Sequence, residues 1–266
     1  MKHLFHLILG AGLVLSGQAL SATCGNTSAG FSKWKVEFAT EAKRAGVKAK
    51  GLKALAGTEY ATRTIAADRN QKSFRYTLEK FMTLRGSATI VAQGRKRLAR
   101  NPKFYADLER KYGVPPGVLL AIHGMETAFG SFRGDSNVVS SIATLAYDCR
   151  RSEFFTEHTL AALKLVDKGV ITSASIGAKH GELGHTQFLP GNVAKYGVDG
   201  NGDGRLDMDN EADALASTAN FLKKKGWKKG RGYLEGERNF KVIKQWNAAT
   251  VYQQAIAIMG TQIDGR

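Results

Sequence analysis

The stretch Pro115-Pro116-Gly117-Val118-Leu119-Leu120-Ala121-Ile122-His123-Gly124-Met125-Glu126-Thr127-Ala128-Phe129-Gly130 decides how the chain is read. The two prolines suit the start of a helix, and Gly130 suits its C-terminal cap. Between them Leu119, Ile122, Glu126 and Phe129 fall on one helical face, at spacings of three and four. Glu126 therefore interrupts an apolar stripe. Burial disfavours the charged form of a carboxylic acid and raises its pKa. An acid that still holds its proton near neutral pH is what a general acid needs. A carboxylate paired with a structural Arg would satisfy the same pattern, because ion pairs also perturb pKa values.

Outward from this stretch the patterning stays helical. Residues 29–67 and 74–100 read as amphipathic helix, anchored by Phe31, Trp34 and Phe38 in the first and by Tyr76, Leu78 and Phe81 in the second. Asn101-Pro102 marks a helix boundary, and residues 104–112 read as a short helix that stops at Gly113. Downstream, 140–147, 154–166, 210–225 and 250–259 read as helices, with Asn210 as an N-cap. Residues 177–197 are Gly-rich and loop-like. There is no internal repeat and no low-complexity tract. The expectation is a mainly α chain with at most a small sheet: a helical region, 23–110, packed on a core, 111–266.

The chain has 266 residues, 43% of them hydrophobic, enough for one sizeable core. Residues 1–22 read as a secretory signal: Lys2, then a short apolar run, then small residues through Ala22. That run is too short for a membrane span. Thr23 does not suit the position before a lipidated Cys24, so no stable membrane anchor is expected. Secretion points to the periplasm and favours one bridge between the only two cysteines, Cys24 and Cys149, over two separate thiols. The net charge is +16, of which the signal carries only Lys2. Such a field concentrates anionic partners. No nucleic-acid-binding module is recognisable, so anionic cell-wall polymer or a membrane surface fits the compartment better.

Asp199-Gly200-Asn201-Gly202-Asp203-Gly204-Arg205-Leu206-Asp207 matches the front of an EF-hand loop. Oxygen ligands fall at positions one, three, five and nine, Gly204 takes the sharp turn, and Arg205 offers its backbone carbonyl. The twelfth position is Asn210, which cannot supply a bidentate carboxylate; Glu211 or Asp213 would have to substitute. The competing reading is an Asp/Asn/Gly turn in which Asp213 caps the next helix. A calcium ion here would pin the loop and is not required for chemistry.

Other chemistries are poorly supported. No His-Glu-x-x-His occurs, and His180, Glu182 and His185 have the wrong spacing for a helical zinc site. There is no Gly-x-Ser-x-Gly elbow. A glycosidase pairs its acid with a second carboxylate, and Asp135, the nearest in sequence, has nothing to mark it as a partner. One acid without a nucleophile suits a substrate that supplies its own attacking oxygen. The residues alone leave this open against ordinary hydrolysis by water.

The runs Tyr112-Gly113-Val114-Pro115-Pro116, Gly124 to Gly130, Ala143-Thr144-Leu145-Ala146-Tyr147 and Gly184-His185-Thr186-Gln187-Phe188-Leu189-Pro190, with the acidic loop and Asp213 to Asn220, resemble the membrane-bound lytic murein transglycosylase B family. The resemblance runs from about Phe31 to the C-terminus and is strongest between Tyr112 and Trp227. It implies a lysozyme-like α+β core with an added helical region. It also implies cleavage of the β-1,4 bond between N-acetylmuramic acid and N-acetylglucosamine in peptidoglycan strands, with a 1,6-anhydro product. By position it makes Glu126 the single acid/base, and Gln187, Asn247 and Tyr252 contacts in the sugar cleft. Arg150 and Arg151 would meet the acidic groups of the substrate, and Asp199, Asn201, Asp203, Arg205 and Asp213 would hold calcium. The sequence departs from the family at Ala178, where a Ser is usual, at Lys179 and His180, and at Gly191-Asn192. The rival expectations are a wall-binding protein without catalysis and a muramidase that uses water.

Overall fold

In α1 (Phe31–Arg44), Phe31, Trp34, Phe38 and Ala42 recur every three or four residues, and all four are buried. The computed structural model describes residues 22–70 and 76–265; the signal expected at 1–22 lies almost wholly outside them. Two more helices follow, α2 (Ala49–Ala56) and α3 (Thr62–Arg69), so the expected 29–67 helix is three pieces. The second expected stretch is likewise two helices, α4 (Leu78–Arg85) and α5 (Ser87–Arg100). Gly86 separates them with φ 65°, a left-handed turn that glycine accepts without steric cost.

The remaining helices are α6 (Pro102–Tyr112), α7 (Pro116–Thr127), α8 (Val138–Tyr147), α9 (Ser152–Asp167), α10 (Pro190–Tyr196), α11 (Glu211–Lys224), α12 (Phe240–Ile243) and α13 (Thr250–Asp264). Among the described residues the one sheet has two antiparallel strands, β1 (Ser136–Asn137) and β2 (Ile176–Gly177), with Ser136 opposite Gly177. The fold is therefore mainly α with a small sheet, as expected. One correction concerns 177–197: its C-terminal part is helix α10, started by Pro190 at the first helical position.

The helix that carries Glu126 is central. Val118, Leu119, Leu120, Ala121 and Ile122 are all fully buried, so α7 is apolar on every side and not along one stripe. It packs on α13 and α5, with α6 and α11 also touching it. A Cβ at Gly117 would run into the carbonyl of Gly260, which is why α7 and α13 can lie so close. At its start the amide of Gly117 donates to Asp264 Oδ1 at 2.7 Å, so the last residue of α13 satisfies one of the open N–H groups of α7. The N-terminal helices are tied on in the same way: Asp167, ending α9, accepts from Lys48 and Gly51 at the start of α2.

Cys24 and Cys149 form a disulfide across 125 residues. The bridge joins the segment before α1 to the α8–α9 turn, where Gly25 also donates to the carbonyl of Tyr147 at 2.9 Å.

Candidate active site

Helix α7 ends earlier than the sequence suggests. Ala128, Phe129 and Gly130 take φ values of 48°, 60° and 84°. Among the described residues, non-glycine positive φ occurs at Ala128, Phe129 and Gln187. All three lie in the segments that carry or immediately follow cleft residues, where strain of this kind tends to collect.

Glu126 sits in the last turn of α7 and lines a cleft of about 240 Å³ together with Glu182, Gln187, Phe188, Leu189, Asn192, Phe221, Trp246 and Asn247. Its Oε1 accepts two hydrogen bonds, from the Tyr252 hydroxyl at 2.6 Å and from the Trp246 indole N–H at 3.0 Å. Tyr252 comes from the first turn of α13 and Trp246 from the segment just before it. Trp246 is itself held edge-on against Phe188 and Phe221, with ring centroids 5.2 and 5.4 Å away. Burial pushes the Glu126 carboxyl above the usual carboxylate range. The Tyr252 and Trp246 donors and the Arg85 guanidinium pull the other way, and the Glu182 charge adds to the push. Burial, then the Glu126 charge, pushes the Tyr252 phenol well above its ordinary value.

The other residues singled out in the sequence divide into two groups. Gln187 and Asn247 line the cleft beside Glu126. The Gln187 amide is fixed by Nε2 donating to the carbonyls of Gly184 at 2.9 Å and Arg133 at 3.3 Å. Asn247 Oδ1 accepts from the Ala249 amide at 3.0 Å, just ahead of α13. Arg150 and Arg151 are engaged elsewhere: both pair with buried Asp68 of α3, Arg150 through Nε at 2.7 Å. Among the polar and indole side chains of the cleft, Glu182, Asn192 and Trp246 were not expected there: Trp246 carries no local signal, Asn192 stood out only as a departure from the family, and Glu182 only as a poor zinc ligand.

In the acidic loop, Asp199 accepts from the amides of Gly202 and Gly204, Asn201 Oδ1 from Asp203, and Asp203 from Arg205. These amide donors hold the Asp199 carboxyl below its ordinary value. Asp213, 1% exposed, uses both oxygens as a clamp, accepting from Gly200 and Asn201 on one side of the loop and Asp207 on the other. Asn210 caps α11. The loop thus offers hard oxygens from Asp199, Asn201, Asp203 and the Arg205 carbonyl, the donor class calcium takes. Asp213 fits better as the brace beneath them than as an inner ligand.

The two histidines once considered for zinc are apart. His180 meets Glu182, with Nδ1 3.3 Å from Oε1. His185 Nδ1 lies 2.8 Å from His123 Nε2. His123, His185 and Glu211 cluster behind α7, but Glu211 already pairs with Arg97 at 3.6 Å. Burial, with the neighbouring His185 and Arg97, pushes His123 down to about 3. The two rings bond to each other, and His123 Nδ1 lies 4.0 Å from Glu211 Oε1.

The arrangement can deliver a proton from one half-buried acid into a cleft walled by aromatic and amide side chains and by Glu182. Residues 30–236 match the family model described as Transglycosylase SLT domain. Membrane-bound lytic murein transglycosylase B of Escherichia coli (strain K12) is 34% identical over 121 residues, which is 45% of this chain and 34% of that protein. That match thus spans about a third of the relative's length. The crystal structure of SltB3 from Pseudomonas aeruginosa in complex with NAG-NAM-pentapeptide superposes with a TM-score of 0.81 at 28% identity, over 89% of this chain and 80% of that one. Escherichia coli lytic transglycosylase Slt35 in complex with calcium gives 0.77 at 19% identity over 91% and 96%, a likeness of fold alone. With most of its length inside that model, the chain belongs to the Transglycosylase SLT domain family.

Proposed function

We propose that this protein is a peptidoglycan lytic transglycosylase of the cell envelope, exported to the periplasm by residues 1–22. The observation that carries the reading is Glu126: a carboxyl with a raised pKa, held at one oxygen by Tyr252 and Trp246, in a cleft beside Gln187 and Asn247. Solved relatives hold NAG-NAM and NAG-anhNAM pentapeptides. The basic surface suits an anionic polymer.

Both donors converge on Oε1, so the acidic proton rests on Oε2. Glu126 gives that proton to the glycosidic oxygen, and the bond from the muramyl anomeric carbon to that oxygen breaks. The muramyl 6-hydroxyl oxygen then bonds to the anomeric carbon, and its proton returns to Glu126. The product is a 1,6-anhydro ring, and no water is consumed. Gln187 and Asn247 would fix the sugar, while Arg150 and Arg151, paired with Asp68, would brace the α8–α9 turn. We read 23–110 as a helical region braced on the core, 111–266. Asp199, Asn201, Asp203 and Arg205 would hold a structural calcium ion over Asp213.

The test is to digest purified sacculi and weigh the fragments. Anhydro ends, one water lighter than hydrolytic ends, are expected. Glu126→Gln should reduce release by at least about a hundredfold while leaving sacculus binding intact. Reducing ends, or undiminished release by the variant, would overturn the reading.

A further inference from the structure

Two carboxylates, Glu126 and Glu182, line one cleft, and the transglycosylase step uses only the first as its acid. The described residues that line this cleft include no Lys or Arg. The second carboxylate therefore faces a space without a fixed cation of its own.

Glu182 is firmly placed. Its carbonyl accepts from the Ala178 amide at 2.9 Å, and the next residue, Leu183, exchanges both backbone hydrogen bonds with Phe188 at 2.8 and 3.0 Å. Its side chain is held from behind. Oε2 accepts from the His180 backbone amide at 3.0 Å, and Oε1 lies 3.3 Å from His180 Nδ1. The far nitrogen of that ring, Nε2, is buried and faces Asp68 Oδ1 at 4.0 Å. Asp68 in turn holds Arg150 and Arg151. A row of side chains thus runs from the cleft wall to the α8–α9 turn, without a hydrogen bond between His180 and Asp68, and its cleft end is a carboxylate with 23% of its surface open.

A pyranose losing its leaving group develops positive charge at the anomeric carbon. A fixed charge of opposite sign in a walled site stabilises that state without reorganising. We propose that Glu182 is a second catalytic residue of the cleft, the fixed negative charge that stabilises the cation developing at the anomeric carbon. This rests on the transglycosylase reading. No bond forms to Glu182. The electron pair of the broken bond leaves with the glycosidic oxygen, which takes the Glu126 proton. The muramyl 6-oxygen supplies the pair for the new bond, and its proton goes to Glu126. Glu182 also opposes ionisation of Glu126, whereas Tyr252, Trp246 and Arg85 favour it.

Glu182→Gln keeps the shape and can still accept from His180. Its kcat should fall about 10- to 100-fold with KM within about threefold. The alkaline limb of its kcat/KM profile should move to lower pH, because Glu126 loses a negative neighbour. Glu182→Asp keeps the charge; it should hold the wild-type limb and lose less than about tenfold in kcat. If Glu182 only braced the loop, Gln would resemble wild type and Asp, one methylene short of His180, would be the worse variant. That result would overturn the proposal, as would an unmoved limb in a folded Gln variant. If the Gln variant does not fold, the Asp variant decides: a retained limb and rate support the proposal, and a loss of about a hundredfold or more sinks it. Anhydro ends from wild type and Glu182→Gln at equal rates would sink this inference alone. Reducing ends from wild type would sink the functional reading and this inference together.

Discussion

Two donors of different strength meet at one oxygen of Glu126, the Tyr252 hydroxyl at 2.6 Å and the Trp246 indole at 3.0 Å. Hydrogen bonds of this kind favour the carboxylate, so they oppose the burial that raises the Glu126 pKa. The acid is therefore poised between two tasks, giving a proton and taking one back. Tyr252→Phe removes the shorter donor. The Glu126 pKa should rise further, and because the protonated form starts the reaction, the alkaline limb of kcat/KM should move to higher pH. The carboxylate that recovers the proton is less well supported, so kcat should fall about tenfold or more. A pH–rate series on both proteins checks this; a limb that moves down would refute the assignment of Tyr252. At this scale the sequence was partly legible. Glu126 stood out because its neighbours are apolar, a local signal. Tyr252 is 126 residues away, and only family resemblance placed it. Arg150 and Arg151 looked available for substrate because nothing local reveals Asp68, 82 residues before Arg150.

Helix positions were legible wherever periodicity and a cap coincided, as at Asn101-Pro102 and at Asn210 before α11. They were illegible where a short element depends on its neighbours. Helix α10 has seven residues, too few for a periodic signal, and it is buried through Pro190, Val193 and Tyr196. The length of α7 was overread because Gly130 is the familiar left-handed residue, whereas the chain already turns at Ala128. The acidic loop shows the same mixture. Its oxygen spacing was plain, but the use of Asp213 as a brace depends on Gly200 and Asp207 folding over it. If calcium occupies the loop, it binds the folded chain and not the unfolded one. Stability should then rise by about 2.7 kcal/mol at a hundredfold excess over Kd. Thermal melts in calcium and in a chelator should differ accordingly, and Asp203→Ala should remove the difference. Identical melts for the wild type would exclude the ion as a structural element.

The disulfide and the core together set how the whole chain holds. Without the bridge, residues near Cys24 keep the Gly25 to Tyr147 hydrogen bond and the contact of the Tyr147 hydroxyl with the Thr27 carbonyl at 2.8 Å. Those are modest next to the entropy of a 125-residue loop released in the unfolded chain. The same end of the molecule holds the aromatic group of Phe31, Trp34, Tyr60 and Tyr147, so the bridge fastens a segment that sits against a well-packed patch. The double variant Cys24→Ser, Cys149→Ser should therefore fold but lose about 2–5 kcal/mol. The acid end should be little affected, because the bridge ties the segment before α1 to the α8–α9 turn, whereas Glu126 and Tyr252 are carried by α7 and α13. Denaturant titration should show the lower midpoint, and turnover well below it should stay within about twofold of wild type. Loss of turnover in a folded variant would show instead that the α8–α9 turn, with Arg150, Arg151 and the row of side chains through Asp68 to His180, controls the cleft from a distance.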